Sequence, residues 1–210
     1  MPTMTLYRNF LRLALTSANV NLASDTIRCA LTTSSYSPNF DTHDFFNDVT
    51  NEVANGNGYT TGGATLTGVA VTYTAANSWA TQWAAATAFA AGDIVRPTTG
   101  NGYVYRAQGA GSSHGSTEPT WPTTLGDEVT DNGVTWTCVG AGVIAIDAND
   151  PSWTSSTITA RRAVVYDATP GTAGTNPLIC CLEFDADVST TNGTFLITWD
   201  SQGLILIPVG

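Results

Sequence analysis

The side chains best suited to chemistry in this sequence are its aspartates, two histidines and four cysteines. General acid–base catalysis needs such groups to converge on one cleft. The aspartates stand instead among turn residues, where a short carboxylate caps backbone N–H groups: Asp41, Asp44, Asp48, Asp147, Asp150 and Asp200. A catalytic triad would have to use His43 or His114. We therefore expect no catalytic residues and interpret the chain as a protein other than an enzyme.

Two segments have weak features of a metal site. His43 lies between Asp41 and Asp44 and could bind a divalent ion, although a loop histidine hydrogen-bonded to its neighbours is favoured. The segment Asp147–Asp150 has some calcium-like spacing but lacks the later glutamate and glycine of a helix–loop site. Phosphate-binding and dinucleotide-binding loops are absent from the sequence. The sequence therefore predicts neither a metal nor a cofactor.

The cysteines favour buried free thiols. Cys180 and Cys181 are adjacent, so they point to opposite faces of a strand and make poor joint ligands for one metal. Cys29 and Cys138 complete the set, and no Cys-x-x-Cys pair occurs. Arg8 and Arg12 interrupt the apolar start, and no apolar run approaches the roughly 20 residues of a membrane span. We expect synthesis as a soluble cytoplasmic chain.

The charge balance excludes two classes of partner. Seventeen acidic residues, seven arginines and no lysine give a formal net charge of -10, which repels nucleic-acid phosphates and anionic membranes. Only 11% of the residues are charged. Lysine is a common guard of exposed sheet edges, so a lysine-free β protein must cover its edges by other means. Contact between subunits is one such means.

The elements that would position these residues are mostly strands. Apolar spacing of three and four predicts a short amphipathic helix from Thr3 to Thr16. Alternation predicts strands at 26–33, 64–73 (with Gly68 as a bulge), 93–96, 103–108, 134–139, 157–166, 178–184, 194–199 and 203–209. Asn-Gly pairs at 55, 57, 101, 132 and 192 mark tight turns. The predicted fold is mainly β, a jelly-roll-like β-sandwich with a short N-terminal helix.

A change of composition predicts two domains. Residues 79–142 are rich in Ala, Gly and Thr and contain four of the six tryptophans, beginning with Trp79. We interpret them as a small β module inserted into a main β-sandwich domain formed by residues 1–78 and 143–210.

The inserted module resembles the small chitin-binding type of carbohydrate-binding module. Trp83, Phe89, Gly92–Val95 and Tyr103–Ala107 follow the order Trp, aromatic, Gly-Asp-x-Val and Tyr-x-Ala. The sequence departs from that pattern at Gln108, where such modules present paired exposed aromatics. The resemblance implies a glycan or partner contact through Trp83, Tyr103, Tyr105, Trp121 and Trp136. A packed or protein-facing module is the alternative.

The flanking segments resemble a group of tailed-bacteriophage virion proteins. The resembling elements include Ala18–Leu22, Asp25–Thr32, Gly58–Leu66 and Thr157–Arg161. The resemblance implies a virion structural protein on the capsid surface, a decoration or cement protein that binds the major capsid protein, typically as a homotrimer. The alternative is a tail-associated protein that binds a host receptor or surface polysaccharide through the insert.

Overall fold

The chain is mainly β, as predicted, with several sheets in a sandwich-like fold. The computed structural model describes residues 3–16, 20–75, 80–140, 142–200 and 203–209, with one α-helix, α1 at Asn9–Thr16, and a 3-10 turn at Phe46–Asp48. The strands are β1 Thr3–Leu6, β2 Ile27–Thr32, β3 Ala64–Thr65, β4 Ala70–Ala75, β5 Thr81–Gln82, β6 Ala88–Phe89, β7 Ile94–Arg96, β8 Val104–Ala107, β9 Gly111–Ser112, β10 Glu128–Asp131, β11 Val134–Gly140, β12 Gly142–Asp147, β13 Ser152–Ser156, β14 Thr159–Asp167, β15 Leu178–Ser189, β16 Gly193–Leu196 and β17 Ile205–Val209.

The chain divides into two compact units. The first unit contains residues 1–71 and 146–205, and the second contains residues 72–145 and 206–210. The sequence predicted joins after residues 78 and 142, whereas these units join at 71/72, 145/146 and 205/206. Each join lies within a strand of one three-stranded sheet, in the order β17-β12-β4. Trp79 lies outside the described residues.

An antiparallel five-stranded sheet forms the centre of the first unit, in the order β1-β15-β14-β2-β3. Strand β14 is paired on both sides, and its β-branched and alanine residues suit a strand covered on both faces. Val164 faces a cluster that includes Tyr7 and Tyr36, whose hydroxyl oxygens are 2.8 Å apart. β13 and β16 form a separate two-stranded sheet in the same unit.

Sheet order in the second unit is β10-β11-β8-β7-β5, with β6 and β9 paired separately. Strand β11 alternates buried and half-buried residues along its whole length, the period-2 signature of a strand with one face on a core. Asn132 and Gly133 connect β10 to β11 as a two-residue hairpin, and Asn132 has a φ of +54°. This Asn-Gly turn was predicted from the sequence.

The predicted helix from Thr3 to Thr16 is wrong in its first half. Residues Thr3–Leu6 form β1 and pair with β15, and the helix begins only at Asn9. Thr-Met-Thr-Leu fits both periods, because its apolar residues alternate and also fall at helical spacing to Phe10 and Leu13. Pairing with β15 decides in favour of a strand, because it satisfies backbone N–H and C=O groups along the edge of β15.

The predicted strand at 64–73 is two strands in different sheets. Ala64–Thr65 pairs with β2, whereas Ala70–Ala75 joins the sheet of β12 and β17. Gly68 lies between them with a φ of +64°, so it turns the chain out of one sheet rather than forming a bulge within a strand. The other predicted strands are present with shifted ends, and β15 is longer than predicted.

The cysteines are buried and free, as predicted. Cys180 and Cys181 lie on opposite faces of β15, with Cys181 in the cluster of Tyr7 and Tyr36. Burial raises the pKa of the Cys181 thiol to about 12, and burial also raises the pKa of Cys29 and of Cys180. These thiols are therefore neutral packing groups at physiological pH.

The close approach of Gly63 to β2 gives a test of this packing. Gly63 has a φ of +75°, and a Cβ there would lie 1.9 Å from the carbonyl oxygen of Cys29. We expect Gly63→Ala to lower the free energy of unfolding by more than about 3 kcal/mol, because strain and a backbone clash add. Gly56→Ala, at φ +114° in open space, should cost only about 1 kcal/mol. Equal losses in chemical denaturation would contradict this packing.

Candidate functional site

Three of the five aromatic residues predicted to contact a glycan or partner lie in the core of the second unit. Trp136 and Tyr105 are fully buried, and Trp83 is nearly so. Phe89 packs edge-on against Trp136 at 4.9 Å between ring centroids. Rings without an exposed face cannot stack on a sugar, so these three side chains stabilise the unit instead. The sequence shows that a ring is present but not which side of a strand is covered.

A buried carboxylate holds this aromatic core together. Asp131 is 3% exposed, and its Oδ2 accepts hydrogen bonds from Trp83 Nε1 at 2.7 Å and from Trp136 Nε1 at 3.4 Å. Its Oδ1 accepts a third bond from the backbone N–H of His114 at 2.8 Å. These donors compensate the burial of the charge. Asp131 is therefore a structural residue of the second unit.

Trp121 and Tyr103 are the two predicted contact residues that keep part of their surface exposed. Both pack against the cluster of Trp136 and Tyr105 from outside. Trp121 Nε1 donates to Glu118 Oε1 at 2.8 Å, and the backbone N–H of Thr98 donates to the same oxygen at 2.8 Å. Burial alone would raise the pKa of Glu118, but its bonds from Thr98 and Trp121 together lower that pKa.

One motif with catalytic spacing was missed in the sequence. Gly111-Ser112-Ser113-His114-Gly115 has the Gly-x-Ser-x-Gly spacing of a nucleophile elbow. Ser113 is 2% exposed, and its Oγ donates to the carbonyl oxygen of Ala84 at 2.7 Å. His114 Nδ1 accepts bonds from the backbone of residues 116 and 117. The spacing is therefore that of a hydrogen-bonded turn, because the serine is neither exposed nor followed by a helix.

His43 and the aspartates act locally in their loops. The Nδ1 of His43 is 3.1 Å from the Tyr36 hydroxyl, and their rings stack. Asp48 accepts bonds from the backbone of Asp44 and Phe45, and Asp150 accepts one from Trp199. Throughout the described part of the chain, no three His, Cys, Asp or Glu side chains are placed to hold a metal ion together.

An apolar groove of about 610 Å³ lies in the first unit. We call it the sheet groove. β1 and β15 contribute Met4, Leu182 and Phe184 to its lining, and residues 195–200, Gly203 and Leu204 contribute most of the rest. Phe195 is buried at its base, whereas Leu196 and Val188 are exposed at its rim. Exposed apolar side chains that line a groove are a common feature of interaction surfaces.

A β-bulge in β15 shapes this groove. Between the pairs Ala160–Val188 and Arg162–Glu183, Arg161 of β14 lies opposite the four residues 184–187 of β15. Asp185 within the bulge has a φ of +64°. Arg161 bonds Asp187 at 2.8 Å and lies 3.8 Å from Glu183, so one side chain bridges both ends of the bulge. Bulges of this kind redirect side chains, here Phe184 and Val188 at the groove.

A second apolar groove, of about 440 Å³, lies beside the helix. We call it the helix groove. Its apolar lining consists of Phe10, Ala14, Val20, Leu22, Ala23 and Val71, and Asn21 completes it. On the same helix Leu15 is 85% exposed and Leu11 is exposed as well. An amphipathic helix normally turns its leucines inward, so these two leucines add exposed apolar surface to the helix that borders the groove.

No protein-family model, curated protein or solved structure matches this chain. Within the described residues, no helix is both long enough and apolar enough to cross a membrane.

The two grooves were not predicted from the sequence. One signal was available for the sheet groove: the run from Phe195 to Trp199 is too apolar for a strand with one solvent face.

The bonds to Glu118 predict a pH dependence of the second unit. Since the pKa of Glu118 is lowered from 4.5 on folding, its contribution to stability is present above that pH and is lost as the pH falls through the folded pKa. We expect Glu118→Gln to flatten the fall of the melting temperature below about pH 4.5, measured by tryptophan fluorescence. Glu128→Gln, at an exposed glutamate of β10, is the control and should follow the wild type. Parallel profiles for all three proteins would contradict the role of Glu118.

Proposed function

We propose that this chain is a structural protein of a tailed-phage virion, a capsid decoration or cement protein that binds the major capsid protein as a homo-oligomer, most simply a homotrimer. The phage assignment rests on the resemblance of the flanking segments. The observation that carries an assembly function is the concentration of exposed apolar side chains on the first unit: Leu11, Leu15, Val71, Val188 and Leu196.

Charge supports assembly rather than binding to a polyanion. The chain has a formal charge of -10 and no lysine, so its sheet edges have none of the usual lysine guards. β1 ends the five-stranded sheet and has only β15 as a neighbour among the described strands. Burial of apolar area, at about 25 cal/mol per Å², and pairing of such edges are sufficient to hold a subunit on a capsid without chemistry.

The helix groove is the surface that we assign to self-association. Its lining is apolar, and the helix carries a single charged side chain, Arg12, which bonds Asn9. Two copies that meet here would bring little charge together in spite of their common negative net charge. Leu15 would then be buried against a neighbouring copy.

Leu15→Asp tests this oligomer. Leu15 is 85% exposed, so the variant should keep its fold, but a charge in an apolar contact should raise the dissociation constant at least about tenfold. Sedimentation velocity should give an oligomer for the wild type and a smaller species for the variant. Leu125→Asp, at an exposed leucine of the second unit, is the matched control and should sediment as the wild type. A monomeric wild type would contradict a homo-oligomer.

A tail-associated binder of host polysaccharide is the second candidate. Tyr103 and Trp121 favour it, because each packs on the core of the second unit and keeps part of its ring exposed. Apolar sugar faces stack on such rings. The other three predicted residues would support this platform from below rather than touch the ligand.

Tyr103→Ala separates the second candidate from the first. On arrays of chitin oligosaccharides and bacterial surface polysaccharides, a glycan binder should lose about tenfold in affinity with Tyr103→Ala. Tyr73→Ala removes another exposed tyrosine of the second unit and should leave binding unchanged. Wild-type protein that binds no glycan on the arrays would exclude the second candidate.

A further inference from the structure

Asp167 is a buried carboxyl group with one oxygen that accepts no hydrogen bond from the described residues. It ends β14 and is 0% exposed. Its Oδ1 accepts a hydrogen bond from the backbone N–H of Thr169 at 2.8 Å, whereas no described N–H or O–H group donates to its Oδ2. Ionisation of a carboxyl group at such a site has a large desolvation cost, because nothing replaces the water lost from the second oxygen. A proton on that group avoids the cost.

Strand pairing brings a second carboxyl group to this position. Ile27 of β2 pairs with Asp167, and Asp25 stands two residues before Ile27. The backbone N–H of Thr26 donates to Thr169 Oγ1 at 2.7 Å, which holds the start of β2 against the end of β14. The carboxyl groups of Asp25 and Asp167 are within hydrogen-bonding reach of one another. Two carboxyl groups can form a hydrogen bond only if one of them carries a proton.

The pKa of Asp167 agrees with a proton between the two groups. Burial, first, and then the negative charge of Asp25 raise this pKa above its ordinary value, and the bonds from Thr169 offset only part of the increase. Like charges that share a site cannot both ionise at their ordinary pKa, so one group of such a pair keeps its proton to higher pH. Asp167 is the more buried of the two groups and is therefore the one that keeps it.

Other ionisable groups around Asp167 are few. On the same face of the sheet, β2 contributes Cys29 and β15 contributes Cys180, level with the residue two before Asp167. Burial raises the pKa of both thiols, so they are neutral. Arg28 of β2 is one residue out of phase and points to the opposite face. Residues 168–176 contain no ionisable side chain. The state of the proton on Asp167 is therefore set by burial and by its partner carboxylate.

The same partner carboxylate shapes the helix groove. Asp25 Oδ2 accepts a hydrogen bond from the backbone N–H of Asn21, and the backbone N–H of Asp25 donates to the carbonyl oxygen of Asn21 at 2.8 Å. These two bonds close a turn at residues 21–25. Residues 20–23 belong to the lining of the helix groove. A negative charge on Asp167 would repel the Asp25 carboxylate from the position in which it holds Asn21, and the lining of the groove would then change.

We propose that Asp25 and Asp167 share one proton, and that loss of this proton weakens self-association at the helix groove. The second half of the proposal rests on the proposed function, which assigns self-association to that groove, and the first half does not. With the proton in place, the O–H of Asp167 donates to Asp25, and Asp25 holds the turn at residues 21–25. When the proton passes to solvent, two carboxylates face one another and the turn loses its anchor.

Chemical denaturation of the full-length protein from about pH 4 to about pH 8 tests the shared proton. Because folding raises the pKa of Asp167, the stabilisation by the pair is present below about pH 4 and is lost as the pH rises through the folded pKa. Asp25→Asn offers an N–H group to Asp167 Oδ2, and Asp167→Asn replaces the O–H donor by an N–H donor. We expect the unfolding equilibrium constant of the wild type, relative to that of either variant, to rise at least about tenfold over this range.

Asp127→Asn is the matched control, because Asp127 is an exposed aspartate of the second unit. It removes the same single negative charge, so its unfolding equilibrium constant should keep a constant ratio to that of the wild type at every pH. A constant ratio for Asp25→Asn and Asp167→Asn as well would overturn the proposal, because the two carboxyl groups would then share no proton that folding stabilises.

Sedimentation velocity at about pH 8 tests the control of the groove and separates it from the proposed function. Asp167→Asn keeps the turn anchored at this pH, so its dissociation constant should be at least about tenfold lower than that of the wild type. Asp127→Asn should sediment as the wild type. Equal dissociation constants for the wild type and Asp167→Asn would overturn the control of the groove and leave the oligomer standing. Wild type and variants that are monomeric at every pH would overturn the homo-oligomer of the proposed function, and the denaturation profiles then decide on the shared proton alone.

Discussion

Strand β14, at Thr159–Asp167, is the element on which the first unit depends. It pairs with β15 on one side and with β2 on the other, and five consecutive residues at its end are buried. Its side chains alternate between two packed faces, with Val164 on the face of Tyr7 and Tyr36 and Val165 level with Cys29 and Cys180. Loss of the pairing of β14 with β15 and β2 would disrupt the packing on both faces of the sheet at once.

The same ladder also borders the apolar sheet groove. Where Arg161 faces four residues of β15, regular pairing gives way to a bulge. The bulge has a positive-φ aspartate and an arginine bridge across its ends, so it is held by specific interactions. An exposed apolar rim beside such a feature is a cost to a monomer, because it invites aggregation. Coverage by another protein would remove that cost.

The sequence predicted what depends on local pattern and missed what depends on distant segments. Long β-branched runs and the Asn132-Gly133 turn were correctly identified, since period and turn chemistry are local. Thr3–Leu6 was assigned to a helix, because its pairing with β15 lies about 180 residues away in sequence. The burial of Trp136 and Tyr105 could not be predicted either, because the sequence does not show which side of a strand is covered. The sheet groove combines Met4 with residues of β15 and with residues 195–200, so no local pattern contains it.

Electron microscopy of purified virions tests the capsid-surface assignment most directly. A decoration or cement protein should give density at regular positions over the outer capsid lattice, with hundreds of copies in each virion, and this density should accommodate the β-sheets of the first unit against the capsid protein. A lattice without such density, or a protein confined to the tail in a few to a few dozen copies, would contradict the assignment.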